Sequence, residues 1–202
     1  MSDSNEKKGL AGLTDTPFFT LARPYLDFIG KGTMFSIVYY LMAIVSILLP
    51  IAVVVVAIQN RNIFSYVGGK GIAWFILTWL FVAAAGWIGF QLWWNRRRQV
   101  MDVKESEFVA IPIIADIVRT FGEWIGTLLA VIGFGAGLFG LLILGDELTM
   151  MLSMIGMDQF GGALVIAGPV AGFFIILFAR LVAEAMKLFV SIANSCKDIA
   201  KK

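Results

Sequence analysis

The sequence contains no histidine and only one cysteine. Without histidine, the chain lacks the commonest general base, the commonest metal ligand and any Ser–His or Cys–His catalytic pair. The single cysteine, Cys196, excludes an internal disulfide and a cysteine-rich metal site. No Walker, Rossmann, zincin or GxSxG motif occurs. The sequence therefore predicts a protein that is not an enzyme and that binds no cofactor or metal.

Charged residues are also scarce. They make up 15% of the 202-residue chain, whereas 59% of the residues are hydrophobic. Because a soluble domain needs more polar surface than this, we expect lipid to be the solvent for much of the chain. The net charge of +2 is too small to indicate a nucleic-acid partner.

Four long apolar runs predict an all-α integral membrane protein with four transmembrane helices. The predicted spans are 34–58, 72–94, 124–145 and 163–182. Each is long enough to cross a hydrocarbon core of about 30 Å. Pro50 lies inside the first span, where it is tolerated if a neighbouring helix satisfies the freed carbonyl. A cytoplasmic helix over 183–199 is predicted to continue the fourth span.

Polar and amphipathic segments flank these spans. Residues 1–15 have little to bury and predict a mobile cytoplasmic tail, and 99–107 predicts a charged linker. Segments 16–31 and 108–123 mix aromatic and aliphatic residues with charged ones. This mixture predicts an interfacial amphipathic helix before each pair of spans.

The basic residues predict the orientation of the chain in the membrane. If both termini and the central loop are cytoplasmic, all but two of the 16 Lys and Arg residues lie inside. The densest positive charge in the sequence is the run Arg96, Arg97 and Arg98, between the second and third spans. By the positive-inside rule, these features predict a multi-pass protein of a bacterial plasma (inner) membrane.

An internal similarity relates the two halves of the chain. Residues 22–30 and 118–126 share the pattern Arg, any, aromatic, any, acid, aromatic, Ile, Gly at an offset of 96. Each copy precedes two spans, which predicts two parallel hairpin repeats, 16–98 and 108–202. The alternative is that any two segments leading into a membrane need basic, acidic and aromatic residues at similar places.

A further pattern of basic, acidic and apolar residues follows the last hydrophobic hairpin. It comprises Arg180, Glu184, Leu188, Phe189, Ile192 and Asn194. This pattern resembles the end of small bacterial multi-span membrane proteins grouped as a domain of unknown function. The resemblance covers the C-terminal half and a degenerate N-terminal copy, in which three arginines replace the Arg…Glu spacing. It implies an aromatic-rich lead-in, two spans and a terminal helix, and it implies no activity.

Small residues are frequent in the third and fourth spans, and most of them recur at four-residue spacing. They are Gly133, Gly137 and Gly140 in the third span and Ala163, Ala167, Gly168, Ala171 and Gly172 in the fourth. Because no hydrophobic force joins helices in lipid, small residues let two backbones approach closely. We expect these residues to form helix-packing faces. The alternative is a flexible helix that lines a pore.

Few charged residues lie near the ends of the spans. They are Arg96, Arg97 and Arg98 after the second span, Glu123 before the third, and Arg180 and Glu184 around the end of the fourth. Arg180 and Glu184 have the spacing of a pair on one helix face. Because side chains at a membrane edge extend towards the headgroups, we interpret this set as interfacial charge that determines topology.

These features predict a non-catalytic structural or accessory subunit of a bacterial membrane protein complex. The predicted partners are the lipid bilayer and other membrane subunits, or further copies of the same chain as a homo-oligomer. The alternative is a small channel or transporter that acts as a homo-oligomer. A water-filled cavity lined by Ser46, Thr78, Glu123 or Thr127 would favour that alternative.

Overall fold

The described residues of the protein, 33–59, 62–101, 110–153 and 161–200, are helical almost throughout. In this computed structural model the α-helices are α1 (Thr33–Gln59), α2 (Asn62–Met101), α3 (Ala110–Phe139), α4 (Asp146–Ser153) and α5 (Leu164–Ala200). A π-helix at Gly140–Leu144 extends α3, and a 3-10 turn at Gly161–Ala163 precedes α5. The predicted tail at 1–15 and the predicted interfacial segment at 16–31 lie outside the described residues.

Four of these helices are long and apolar enough to cross a membrane, which confirms the predicted all-α multi-pass class. Their apolar spans are Phe35–Gln59, Gly68–Arg98, Ile111–Leu144 and Leu164–Cys196. The last three contain 31, 34 and 33 residues. At a rise of about 1.5 Å per residue, each exceeds a hydrocarbon core of about 30 Å. These three helices therefore tilt within the bilayer or project beyond it.

The third and fourth spans begin or end elsewhere than the hydropathy pattern predicts. The predicted division between an interfacial segment at 108–123 and a span at 124–145 does not appear, because α3 runs from Ala110 without a break. Packing explains this continuity. Gly122 lies against Ala179 of α5, and Lys187 Nζ is 2.7 Å from Asp116 Oδ1. In the same way, the segments 163–182 and 183–199 are joined in α5.

Successive long helices are antiparallel neighbours. Helix α1 packs on α2, α2 packs on α3, and α3 has its most extensive contact with α5. We call α1 with α2 the first hairpin, and α3 with α5 the second hairpin. The end of the bundle with Arg96 is called the basic end. The opposite end, with Gly145, is called the loop end.

An aromatic core joins α1, α2 and α3 near the basic end. Its buried members are Tyr39, Ala43, Trp93, Ile113 and Trp124. The Trp93 ring lies between two others, with centroids 5.4 Å from Tyr39 and 6.4 Å from Trp124, both in edge-on geometry. Edge-to-face contacts of this kind stabilise aromatic clusters beyond their burial alone. The core therefore fixes how the first hairpin sits on α3.

A second, smaller core closes the loop end. Gly145 has φ of +56°, a conformation that favours glycine, and its N–H donates to Gly140 O at 3.1 Å. This turn brings α4 back onto the bundle, where the buried side chains of Leu144 and Leu148 pack with Trp74 and Leu164. An exposed ion pair between Lys70 and Glu147, at 3.5 Å, also links α2 to α4.

In each hairpin a glycine of the second helix lies close to the first helix. In the first hairpin, Gly89 lies against Ser46, and in the second, Gly172 lies against Gly126. Ser46 and Gly126 are 80 positions apart, and Gly89 and Gly172 are 83 positions apart. These offsets differ from the 96 positions that separate the two copies of the sequence pattern.

Candidate functional site

Glu123 is a buried acid at the junction of α2, α3 and α5. Its side chain is charged, yet it lies within an apolar span and is only 6% exposed. Helix α3 places it one residue before Trp124 of the aromatic core. A buried carboxylate is costly unless opposite charges and hydrogen bonds compensate for the lost water.

Three arginines from three helices supply this compensation. Arg119 Nε, from α3 itself, donates to Glu123 Oε1 at 3.1 Å, and Arg180 Nε, from α5, donates to the same oxygen at 2.8 Å. Arg96 Nη2, from α2, donates to Oε2. One carboxylate thus connects the first hairpin to both helices of the second hairpin.

A buried hydroxyl completes the arrangement around Arg96. Arg96 Nη1 donates to Thr120 Oγ1 at 2.9 Å, and Thr120 Oγ1 donates to the carbonyl of Asp116 at 2.6 Å. The two Nη groups of Arg96 therefore have separate acceptors on one face of α3, which fixes the plane of the guanidinium. We call Arg96, Arg119, Thr120, Glu123 and Arg180 the Glu123 cluster.

The arginines of this cluster differ in exposure. The Arg96 side chain is mostly enclosed, whereas the Arg119 and Arg180 side chains are 40% and 50% exposed. With three guanidinium groups and one carboxylate, the cluster carries more positive than negative charge. Its outer surface is therefore suited to a negatively charged partner.

Arg180 binds across helices instead of along its own helix. The sequence predicts that it can pair with Glu184, but the ion pair found for it in the described residues is with Glu123 of α3. Glu184 is exposed, and water weakens the attraction between charges at an exposed site. The buried carboxylate is consequently the stronger acceptor.

The other two arginines of the basic run have different surroundings. The Arg97 guanidinium lies over the rings of Tyr40, at 4.4 Å, and Trp94, at 4.7 Å. Arg98 is exposed at the last turn of α2. Of the run, Arg96 alone reaches Glu123 among the contacts that the structure describes.

Four of the predicted packing residues make close contacts between α3 and α5. A Cβ built on Gly133 would lie 2.9 Å from Gly168 Cα, and one built on Gly168 would lie 2.8 Å from Gly133 Cα. Gly137 lies against the backbone of Val165, and Gly172 lies against the backbone of α3. Because these are backbone contacts, any larger side chain would force the helices apart.

The remaining predicted packing residues lie elsewhere. Gly140 contacts Leu148 of α4. Ala163 and Ala171 are exposed and Ala167 is half-buried, so the glycines of α5 face α3 and the alanine row does not. Sequence reasoning missed Gly122 and Gly126, which contact Ala179 and Gly172. Their GxxxG spacing was a signal that could have found them.

Hydrogen bonds of the polar residues Ser46, Thr78 and Thr127 bear on the channel alternative, which a water-filled cavity lined by them would favour. Ser46 Oγ donates to Met42 O, and Thr127 Oγ1 donates to Glu123 O, both at 2.7 Å and both within one helix. Thr78 Oγ1 is buried without a partner among the described residues. An open groove of about 440 Å³ between α3 and α5 has an apolar lining that includes Phe121 and Phe178.

Comparison with known proteins adds no family to these observations. No family model, curated protein or solved structure matches this chain. The resemblance of its C-terminal half to small bacterial multi-span membrane proteins therefore stays a prediction from the residues that carry it.

Proposed function

We propose that this protein is a non-catalytic structural or accessory subunit of a bacterial membrane protein complex. The observation that supports this role is an apolar stripe along α5. The α5 stripe consists of the exposed residues Val170, Phe174, Phe178, Leu181, Leu188, Phe189, Ile192 and Ile199. Their spacing brings them to one face of the helix. This face is the part of the molecule best suited to contact another chain.

The α5 stripe continues well past the Glu123 cluster. Leu188 and Ile199 lie 8 and 19 residues beyond Arg180, which corresponds to about 12 and 28 Å along the helix. Arg180 already lies 16 residues, about 24 Å, from Leu164, and arginines favour the headgroup level, so this part of the stripe extends beyond the hydrocarbon in the proposed arrangement. Phe189 is 71% exposed there. An exposed apolar surface outside the lipid is typical of a protein–protein contact.

The proposed orientation places the basic end and both termini in the cytoplasm of a bacterium. The basic end carries Arg96, Arg97, Arg98, Arg119, Arg180 and Lys187, whereas the described loop end carries Lys70 with Asp146 and Glu147. This asymmetry is the one that the positive-inside rule requires. The outer part of the α5 stripe then projects into the cytoplasm, where the proposed partner subunit meets it.

The repeat organisation is a part of the same proposal. Each hairpin has two antiparallel helices, and in each a glycine of the second helix, Gly89 or Gly172, lies against the first. Two such hairpins in the same orientation are what a pair of parallel repeats would form. The start of α3, with Ile111 and Ile114 exposed, supplies the amphipathic segment that precedes the second hairpin.

The channel or transporter role has less support. The hydroxyls of Ser46 and Thr127 donate to carbonyls of their own helices, so they do not present a polar path. Glu123 is bound by three arginines, and it is therefore not poised as a proton or ion relay.

The test is the composition of the purified particle. Isolated from its native membrane in mild detergent, the protein is expected to carry larger membrane proteins in a fixed ratio, measured by mass spectrometry. Replacing Phe189 and Ile192 together by Ser should release them. Each side chain contributes about 1.5–3 kcal/mol when buried, so the joint loss weakens binding by about 100-fold or more.

A matched control uses a polar residue of the same helical region. Asn194 is exposed on α5 and lies on the side of the helix opposite the α5 stripe, so replacing it by Ala should leave the particle intact. Recovery of the wild-type chain only as a monomer or a homo-oligomer would contradict the proposed role. Retention of the partners by the double Ser variant would show that the α5 stripe is not the contact.

A further inference from the structure

Two guanidinium groups lie side by side on the surface of the basic end. Arg119 and Arg180 both use Nε to bind the same oxygen of Glu123. A guanidinium has five N–H donors, and within the described residues the four on the Nη atoms of each of these arginines have no protein acceptor. Since both side chains are about half exposed, these donors are open to a ligand.

The two groups are also fixed in place before any ligand arrives. Ordinary surface arginines lose side-chain freedom when they bind, which weakens the interaction. Here the buried carboxylate of Glu123, 6% exposed, anchors both guanidiniums from below. Arg96 neutralises part of the same carboxylate, so the attraction of Arg119 and Arg180 for another anion is not cancelled. Even if the exposed carboxylate of Glu184 is included, the three arginines outnumber the two carboxylates.

The apolar surroundings match an amphiphilic ligand. Leu177 and Phe173 precede Arg180 by three and seven residues on α5, so they share its side of the helix and lie deeper in the span. Both are exposed. A ligand with its anionic group at Arg180 would therefore have an apolar surface beside it, in the direction of the bilayer centre.

We propose that Arg119 and Arg180 form a binding site for a phosphate group, carried by the headgroup of an anionic membrane lipid. Guanidinium groups match phosphate oxygens with paired hydrogen bonds. Arg180 lies 16 residues along α5 from Leu164, which is about 24 Å. With the hydrocarbon core starting near Leu164, this distance brings the site close to the level of the lipid phosphates on the basic side. Free phosphate would use the same chemistry but would gain nothing from Leu177 and Phe173.

The first experiment compares lipids and arginine variants in the full-length chain. Native mass spectrometry of the protein in detergent measures binding of phosphatidylglycerol against phosphatidylcholine. The wild type is expected to prefer phosphatidylglycerol. In Arg119→Lys and Arg180→Lys, the ammonium keeps the charge and the pairing with Glu123 but lacks the Nη donors. Each variant should lose phosphatidylglycerol affinity by about tenfold.

Two controls separate a specific site from general charge attraction. Arg98→Lys makes the same chemical change at an exposed arginine outside the site, so it should bind as the wild type does. Lys187→Gln removes a neighbouring charge that pairs with Asp116. If Lys187→Gln weakened binding while both arginine variants bound normally, the attraction would be nonspecific and the proposal would be overturned.

A second experiment needs no variant and therefore no assumption about folding. Phenylglyoxal modifies accessible arginines, and peptide mass spectrometry reports each position. Vesicles containing phosphatidylglycerol are expected to protect Arg119 and Arg180 but not Arg98, and pure phosphatidylcholine should protect none of them. Protection by millimolar inorganic phosphate alone would overturn the lipid assignment in favour of the free ion. Protection by neither phosphate nor phosphatidylglycerol would overturn the site itself.

Discussion

The two hairpins hold their helices together in different ways. In the first hairpin, side chains add to a backbone contact at Gly86, where a built Cβ would lie 2.7 Å from Ser46 O: Trp79 Nε1 donates to Pro50 O at 3.0 Å, and Tyr39 packs on Trp93. In the second hairpin the close backbone contacts are more numerous, as between Gly133 and Gly168 and between Gly126 and Gly172, where side chains are absent. The charged groups differ as well. Arg97 of the first hairpin lies on aromatic rings, whereas Arg96 of the same hairpin and Arg180 of the second bind one carboxylate.

This contrast shows two solutions to one physical problem. In lipid, apolar side chains gain little by meeting each other, so helices associate through close packing and polar contacts. The first hairpin relies more on particular side chains, and the second relies more on positions that have none. The hairpins should therefore differ in the substitutions that destabilise them most.

The largest effect is expected where the two hairpins meet. Glu123→Gln keeps the shape of the side chain but leaves three arginines without their counter-charge. Loss of one partner from a buried ion pair costs about 3–5 kcal/mol. The free energy of unfolding in mixed detergent and dodecyl sulfate micelles, followed by tryptophan fluorescence, should fall by this amount. Glu184→Gln, at an exposed carboxylate, should change it by less than about 0.5 kcal/mol.

The second hairpin should be sensitive to a single added methyl group. In Gly168→Ala the new Cβ would lie 2.8 Å from Gly133 Cα, and overpacking of this kind costs about 1–3 kcal/mol. Gly69→Ala is the matched control, since nothing lies within 4 Å of a Cβ built there. The same unfolding assay should find it neutral or slightly stabilising. Equal effects of the two substitutions would contradict the role of backbone contact.

The first hairpin should be sensitive to the loss of a hydrogen-bond donor between its helices. Trp79→Phe removes the hydrogen bond to the Pro50 carbonyl, and such bonds between membrane helices contribute about 0.6 kcal/mol on average. With the smaller ring included, we expect a loss of about 1 kcal/mol in the free energy of unfolding. Trp87→Phe, at an exposed indole, is the control. A loss as large for Trp87→Phe would indicate that ring size alone matters.

The smallest effect is expected for the arginine on the aromatic rings. Arg97→Gln removes a cation–π contact with Tyr40 and Trp94, which contributes about 0.5–1 kcal/mol at exposed sites. Arg98→Gln removes an equal charge without a ring beneath it and should be closer to neutral. The difference between these two variants in the unfolding assay isolates the ring contact. No difference would show that Arg97 contributes through charge alone.

Local patterns in the sequence predict the membrane class and the four spans. Long apolar runs are sufficient to predict the spans. Four of the predicted packing glycines lie in the contact between α3 and α5. The boundaries of the helices are harder to predict from the sequence. Charged residues such as Asp116 and Arg119 suggest that the third span begins after Glu123. The structure shows a continuous helix there, because α5 packs beside the charged part and Lys187 pairs with Asp116.

The Glu123 cluster could be predicted only in part. The i, i+4 spacing of Arg119 and Glu123 is visible in the sequence and indicates one of its ion pairs. The contributions of Arg96 and Arg180 depend on which helices become neighbours, and no local spacing contains that information. Local spacing in fact favoured Glu184 as the partner of Arg180. Burial of the acceptor, which only the tertiary structure reveals, decides otherwise.

The members of the Glu123 cluster are synthesised one after another, and this order determines when each ion pair can form. Arg96 and Arg119 precede Glu123 in the chain, so the acid emerges from the ribosome with two of its partners already made. Arg180 follows it by 57 residues, which takes roughly 3–11 s at 5–20 residues per second. For that interval α3 has its charge partly neutralised while α5 is still absent. Helix α5, made after α3, thus finds a prepared acceptor, and its arrival completes the Glu123 cluster.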